Sequence, residues 1–73
     1  MEIREIVYKL IKEEVVNDVN VNDEALLKEE LGIDSFKAVN LLYRLQENGL
    51  TLKSYNIEVI ITVKDLIKAL KHE

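Results

Sequence analysis

Two glycines, Gly32 and Gly49, and no proline are all the strong punctuation in this chain. The stretches between them are rich in Leu, Ile, Val, Lys and Glu, a mixture that favours helices. In the first stretch Ile3, Ile6, Val7, Leu10, Ile11 and Val15 recur at helical spacing. Arg4, Glu5, Lys9, Lys12 and Glu13 fill the other face. This pattern predicts an amphipathic helix over about residues 2–16, serving as core scaffold.

Asn17 to Asn22 is polar, and its Asn and Asp side chains compete for local backbone hydrogen bonds, so the first helix is expected to end there. Asp23 to Leu31 reads as a long connection with a helical turn or two, pinned to the core by Leu26, Leu27 and Leu31 and stopped by Gly32. A second main helix is expected from Ser35 to Asn48, with Phe36, Val39, Leu42, Tyr43 and Leu45 as its buried stripe. Asn48-Gly49 ends it. From Leu50 to Ile61 the β-branched residues Ile57, Val59, Ile60 and Ile61 permit a strand. A lone strand would lack a partner, so a short helix or an irregular connection is expected instead. Thr62 and Asp65 then stand at the two positions of a capping box, and Ile61 and Leu66 at those of a hydrophobic staple. Val63, Leu66, Ile67 and Leu70 supply the apolar face of a last helix. Lys68, Lys71 and His72 suit its negative end.

The expected fold is all-α: one domain over residues 1–73, a small antiparallel helical bundle. It has three main helices, a short helix in third position and a long first loop. With 73 residues and no cysteine, neither disulfides nor thiolate-bound metal can reinforce a small core, which leaves regular helix packing. No apolar run is long enough to span a membrane. The start Met1-Glu2-Ile3-Arg4 lacks the features of a signal peptide, so a cytoplasmic monomer without a membrane or nucleic-acid partner is expected. The net charge of −4 points away from nucleic acid.

Chemistry concentrates at Leu31-Gly32-Ile33-Asp34-Ser35-Phe36. Here a glycine turn leads into an Asp-Ser pair that opens the second helix. A nucleophilic serine needs a base, usually His, within hydrogen-bond reach. The single histidine is His72, next to the chain end, and no Gly-x-Ser-x-Gly elbow surrounds Ser35. The chain is therefore expected not to be an enzyme. A plainer role is a helix cap by Asp34 or Ser35, worth about 1 kcal/mol. Elsewhere, Asp18, Asn20, Asn22 and Glu29 fall at ligand positions of an EF-hand loop. Asp23 occupies the place of the turn glycine, and a polar loop without metal is the expected reading. Tyr8, Tyr43 and Tyr55 read as amphipathic residues at the edge of the core.

The stretch Leu31–Phe36, followed by Val39, Leu41-Leu42 and Leu45-Gln46-Glu47, resembles the Leu-Gly-x-Asp-Ser-Leu…Val…Leu…Leu-Glu signature of acyl and peptidyl carrier proteins. The resemblance covers nearly the whole chain, because the flanking helices and the long first loop fall in the family's order. It implies that a separate phosphopantetheinyl transferase attaches 4′-phosphopantetheine from coenzyme A to Ser35, with Asp34 assisting that modification. The domain would then carry an acyl or aminoacyl group as a thioester. It would pass this group from a loading enzyme to a downstream synthase or transferase. A thiol imported with the cofactor suits a chain without cysteine.

Two departures from the family sharpen these expectations. From Asp34 to Asn48 two acids balance two bases, unlike the acidic second helix of fatty-acid carriers. A dedicated partner is therefore expected, reading Ile33, Phe36 and Val39 as an apolar patch, with Lys37, Asn40, Arg44 and Ile60 around it. The β-branched third region lacks the family's proline and acidic cluster, which favours a small cargo over a long acyl chain. Asp34-Ser35-Phe36 is also similar to the D-alanyl carrier proteins. The alternatives are a helical interaction module that carries no prosthetic group and, third, a small helix-turn-helix DNA binder.

Overall fold

The computed structural model describes residues 2–15, 20–53 and 59–73. Helix α1 (Ile3–Glu14) is followed, over the described residues 20–34, by a loop and then by helix α2 (Ser35–Glu47). Next come strand β1 (Leu50–Leu52), helix α3 (Val63–Ala69) and strand β2 (Leu70–His72). Val7 and Ile11 of α1, Leu45 of α2, Leu50 and Val63 are fully buried and form the centre of the core. Each such side chain contributes about 1.5–3 kcal/mol relative to exposure. No charged or polar side chain is buried among the described residues.

The all-α expectation is corrected. β1 and β2 form an antiparallel ladder, with Leu50 opposite His72, Thr51 opposite Lys71 and Leu52 opposite Leu70. Lys53 N–H donates to Ala69 O at 2.7 Å and Glu73 N–H to Gly49 O at 2.9 Å, which extends the ladder at both ends. The observed strand lies at Leu50–Leu52, expected only as core anchors, and its partner is Leu70–His72. Gly49 permits this. Its φ of 81° is a left-handed turn that lets the backbone leave α2 and run straight into β1. α3 stops at Ala69, so Leu70 packs into the core from an extended backbone instead of a helix. The ladder pairs backbone groups that a helix end facing solvent would leave to water. The short helix or irregular connection expected over Leu50–Ile61 includes residues 54–58, Tyr55 among them, which lie outside the described residues.

The long loop is tied down by backbone pairing. Leu26 and Thr62 form an antiparallel bridge. Leu27 N–H donates to Ile61 O (2.9 Å), Val63 N–H to Ala25 O (3.1 Å) and Lys64 N–H to Asp23 O (2.9 Å). Asp23 also accepts from Arg4 (2.8 Å) and from the Tyr8 hydroxyl, which fastens the loop to α1. Leu27 and Leu31 are buried as expected, together with Val21 and Ala25, whereas Leu26 is half-buried.

The buried stripe of α2 is also corrected. Leu41 and Leu45 face the core and Ala38 and Leu42 pack beside them, whereas Phe36 is 85% exposed, Val39 65% and Tyr43 57%. The helix carries two apolar rows on nearly opposite faces, since residues advance by about 100° each. Leu42 and Leu45 belong to the inner row; Phe36, Val39 and Tyr43 form the outer one.

Candidate functional site

The entry to α2 is built by the turn before it. Glu30 N–H donates to Leu26 O, Gly32 N–H to Lys28 O (3.2 Å) and Ile33 N–H to Leu27 O (2.8 Å). Gly32 takes φ 69°, a conformation that favours glycine, and closes the turn. Ile33 then drops into the core at 5% exposure and anchors the chain one residue before the helix cap. The cap is Asp34. Its backbone is extended, its carboxylate accepts from Lys37 N–H at 2.9 Å, and its carbonyl accepts from Ala38 N–H at 2.8 Å. Ser35 is therefore the first helical residue, exposed to solvent. No acid lies in the first turn of α2, so the positive end of the helix dipole meets only the cap carboxylate.

A cavity of about 400 Å³ opens beside this serine. Ser35, Asp34 and Lys28 line it together with Leu27, Ile33, Ala38, Leu41, Leu42, Ile60 and Leu66. Three segments thus meet there: the loop turn, the inner row of α2, and the approach to α3 with Leu66. The cavity is largely apolar, and its size is at the low end for ligand pockets.

The expected site residues are distributed differently from the single exposed patch. Ser35 and Asp34 stand together at the helix entry. Phe36 and Val39 are exposed and are joined by Tyr43 on the outer row. Ile33 is not on the surface but in the core, and Ile60 is a half-buried wall of the cavity. Asn40 and Arg44 are engaged within the molecule. Asn40 donates to Glu14 at 2.7 Å, and Arg44 bridges Glu14 (3.0 Å) and Glu13. These bonds clamp α2 to α1 and raise the Arg44 pKa further above its usual value, chiefly through the hydrogen bonds to Glu14 and Glu13. Lys37 is half-buried. Lys28 was missed as a site residue. In the sequence it is one lysine in a polar loop, and only the folded turn brings it to the cavity.

His72 pairs with Leu50 in the ladder and does not line the cavity. In the loop that resembles an EF-hand, Asn22 accepts from Glu24 N–H at 3.0 Å and Asp23 is bound to Arg4 and Tyr8. Asp18 lies outside the described residues. Ile61 is 54% exposed and does not bury itself as a staple would. Among the described residues no helix is long and apolar enough to cross a membrane.

No family model matches this chain, and no curated protein or solved structure is significantly similar to it.

Proposed function

We propose that the chain is a carrier domain whose Ser35 bears 4′-phosphopantetheine and presents an acyl or aminoacyl thioester to partner enzymes. The observation that carries this reading is an exposed serine hydroxyl at the first position of a capped helix, on the lip of an apolar cavity. Attachment joins Ser35 Oγ to the phosphorus of the pantetheine phosphate of coenzyme A. The bond to 3′,5′-adenosine bisphosphate breaks, and the hydroxyl proton passes to the transferase. The residues present suit such a group. A phosphodiester at Ser35 stands beside the first-turn amides of α2, where negative charge is favoured. Asp34 holds the helix entry in shape, which orients the hydroxyl, and by the family resemblance assists the transferase. When bound, the group supplies a thiol on a flexible arm. The chain's own part is to hold the arm, offer an apolar shelter and raise the local concentration of cargo at each partner. The cavity size favours a short acyl or aminoacyl cargo over a long chain. The same reading takes the protein as a cytoplasmic monomer that meets a transferase, a loading enzyme and a downstream synthase.

The test is incubation with coenzyme A and a broad-specificity phosphopantetheinyl transferase, followed by intact-mass measurement. A gain of one phosphopantetheine, absent in Ser35→Ala, is expected. An unchanged mass across several such transferases, with folded protein, contradicts the reading.

A second reading is favoured by the outer row of α2. Phe36, Val39 and Tyr43 are apolar, adjacent and exposed, as on a protein-binding helix. In a pure interaction module Ser35→Ala is harmless to partner binding, while Phe36→Ala abolishes it.

A further inference from the structure

Of the six asparagines in the chain, only Asn48 is followed by glycine. The backbone nitrogen after an asparagine can attack the side-chain amide carbon. Glycine, which lacks Cβ, hinders that approach least. The fold places this pair at the junction of α2 and β1. Asn48 is exposed and stands at the C-cap of α2. Gly49 turns the chain at φ 81° into the fully buried Leu50.

Both reacting groups are held in the fold. The leaving group, the Asn48 side-chain N–H, donates to Arg44 O at 2.8 Å. The attacking nitrogen, Gly49 N–H, donates to Gln46 O at 3.0 Å. Gly49 O accepts from Glu73 N–H at 2.9 Å, the bond that ends the β1–β2 ladder. Attack needs the Gly49 nitrogen stripped of its proton and turned toward Asn48 Cγ, so this junction must open first. We propose that Asn48-Gly49 is a deamidation site that the β1–β2 ladder holds shut. On opening, hydroxide takes the Gly49 proton and the nitrogen bonds to Asn48 Cγ. The Cγ–Nδ2 bond breaks, and Nδ2 takes a proton from water and leaves as ammonia. Water then opens the cyclic imide at either carbonyl, leaving an aspartyl or isoaspartyl residue at position 48. Neither product restores the junction. A carboxylate has no N–H to give Arg44 O, and it puts negative charge at the negative end of α2. The isoaspartyl form adds a methylene to the backbone just before β1, where Leu50 must stay opposite His72. Each modification therefore weakens the ladder that delayed it, and none of this depends on a group at Ser35.

The experiment incubates the full chain at mildly alkaline pH, folded in buffer or unfolded in urea, and maps the amide-to-acid mass gain by peptide. Asn48 is expected to react first, and about tenfold or more slowly in the folded chain, because reaction waits for local opening. Glu73→Pro removes the N–H that Gly49 O accepts. It should speed the folded reaction about two- to tenfold, the worth of one backbone hydrogen bond. Glu73→Ala keeps that N–H and the wild-type rate, and Asn48→Gln abolishes the gain at position 48. Deamidated chain, separated by charge, should unfold at lower urea than the unmodified chain. Equal rates at Asn48 in the folded and unfolded chain overturn the proposal. So does a Glu73→Pro chain that reacts no faster than Glu73→Ala, or a first gain on another asparagine. An unchanged urea midpoint overturns the weakening of the ladder by its own product.

Discussion

At the start of α3, Asp65 N–H donates to the Thr62 hydroxyl at 3.1 Å, and the Asp65 carboxylate accepts from the N–H groups of Thr62 (3.0 Å) and Ile61 (3.1 Å). At the start of α2, Asp34 accepts from Lys37 N–H, and no acid occupies the first turn. Both starts satisfy orphan amides with a carboxylate, but at α3 it comes from Asp65 within the first turn and at α2 from the cap residue Asp34. The helix with the closed start has seven residues and needs that help. The helix with the open start has thirteen residues, buries Leu41 and Leu45, and is clamped to α1 through Arg44 and Asn40. A helix held along its body can leave its first turn available. The difference separates an N-terminus closed by a reciprocal capping box from one whose first turn holds no acid.

The largest effect is expected in the body of α2. Leu45 is fully buried, so Leu45→Ala should cost about 2–5 kcal/mol in urea unfolding. Phe36→Ala, on the exposed row, should stay within about 0.5 kcal/mol. Equal losses would mean that the open start is not supported by the packing behind it. Next come the caps. Thr62→Ala and Asp34→Ala should each cost about 1 kcal/mol. Thr62→Ala combined with Asp65→Ala should fall short of the sum of the single losses, because the two residues form one reciprocal unit.

Acid weakens the start of α3. Hydrogen bonds from the backbone of Thr62 and Ile61 hold the Asp65 carboxyl below the usual aspartate range. Its stabilising contribution is therefore complete above the unfolded-state pKa near 4 and is lost as pH falls through the lower folded-state value. Asp23 has the same sign, through its hydrogen bonds from Arg4 and Tyr8. Urea midpoints taken from about pH 6 down to about pH 2.5 should fall, and Asp65→Asn should flatten part of that fall. A midpoint that rises on acidification would contradict the assignment.

What could be read in the sequence follows from the range of each signal. α1, the glycine stop at Gly32 and the Thr62–Asp65 box are written in residues within one or two turns of each other, and each is found in the structure. The β1–β2 ladder is not local. Leu50 meets His72 across α3, and three-residue strands are too short to show a period of two. α2 misleads because two apolar rows share one helix. The sequence contains both, and only the packing of α1 decides that Leu41 and Leu45 go inward while Val39 and Tyr43 stay out. That Asp34 caps α2 and Ser35 opens it was legible because cap and first residue are neighbours. The cavity was not, since Lys28, Ala38, Ile60 and Leu66 come from separate elements.

Ser35 is the proposed attachment point, and the chain contains one other serine, Ser54, for contrast. The most direct measurement is peptide-level mass mapping after treatment with transferase and coenzyme A. The full phosphopantetheine increment is expected on the peptide that contains Ser35 and none on the peptide that contains Ser54. An increment on Ser54, or on neither peptide of a folded protein, would contradict it.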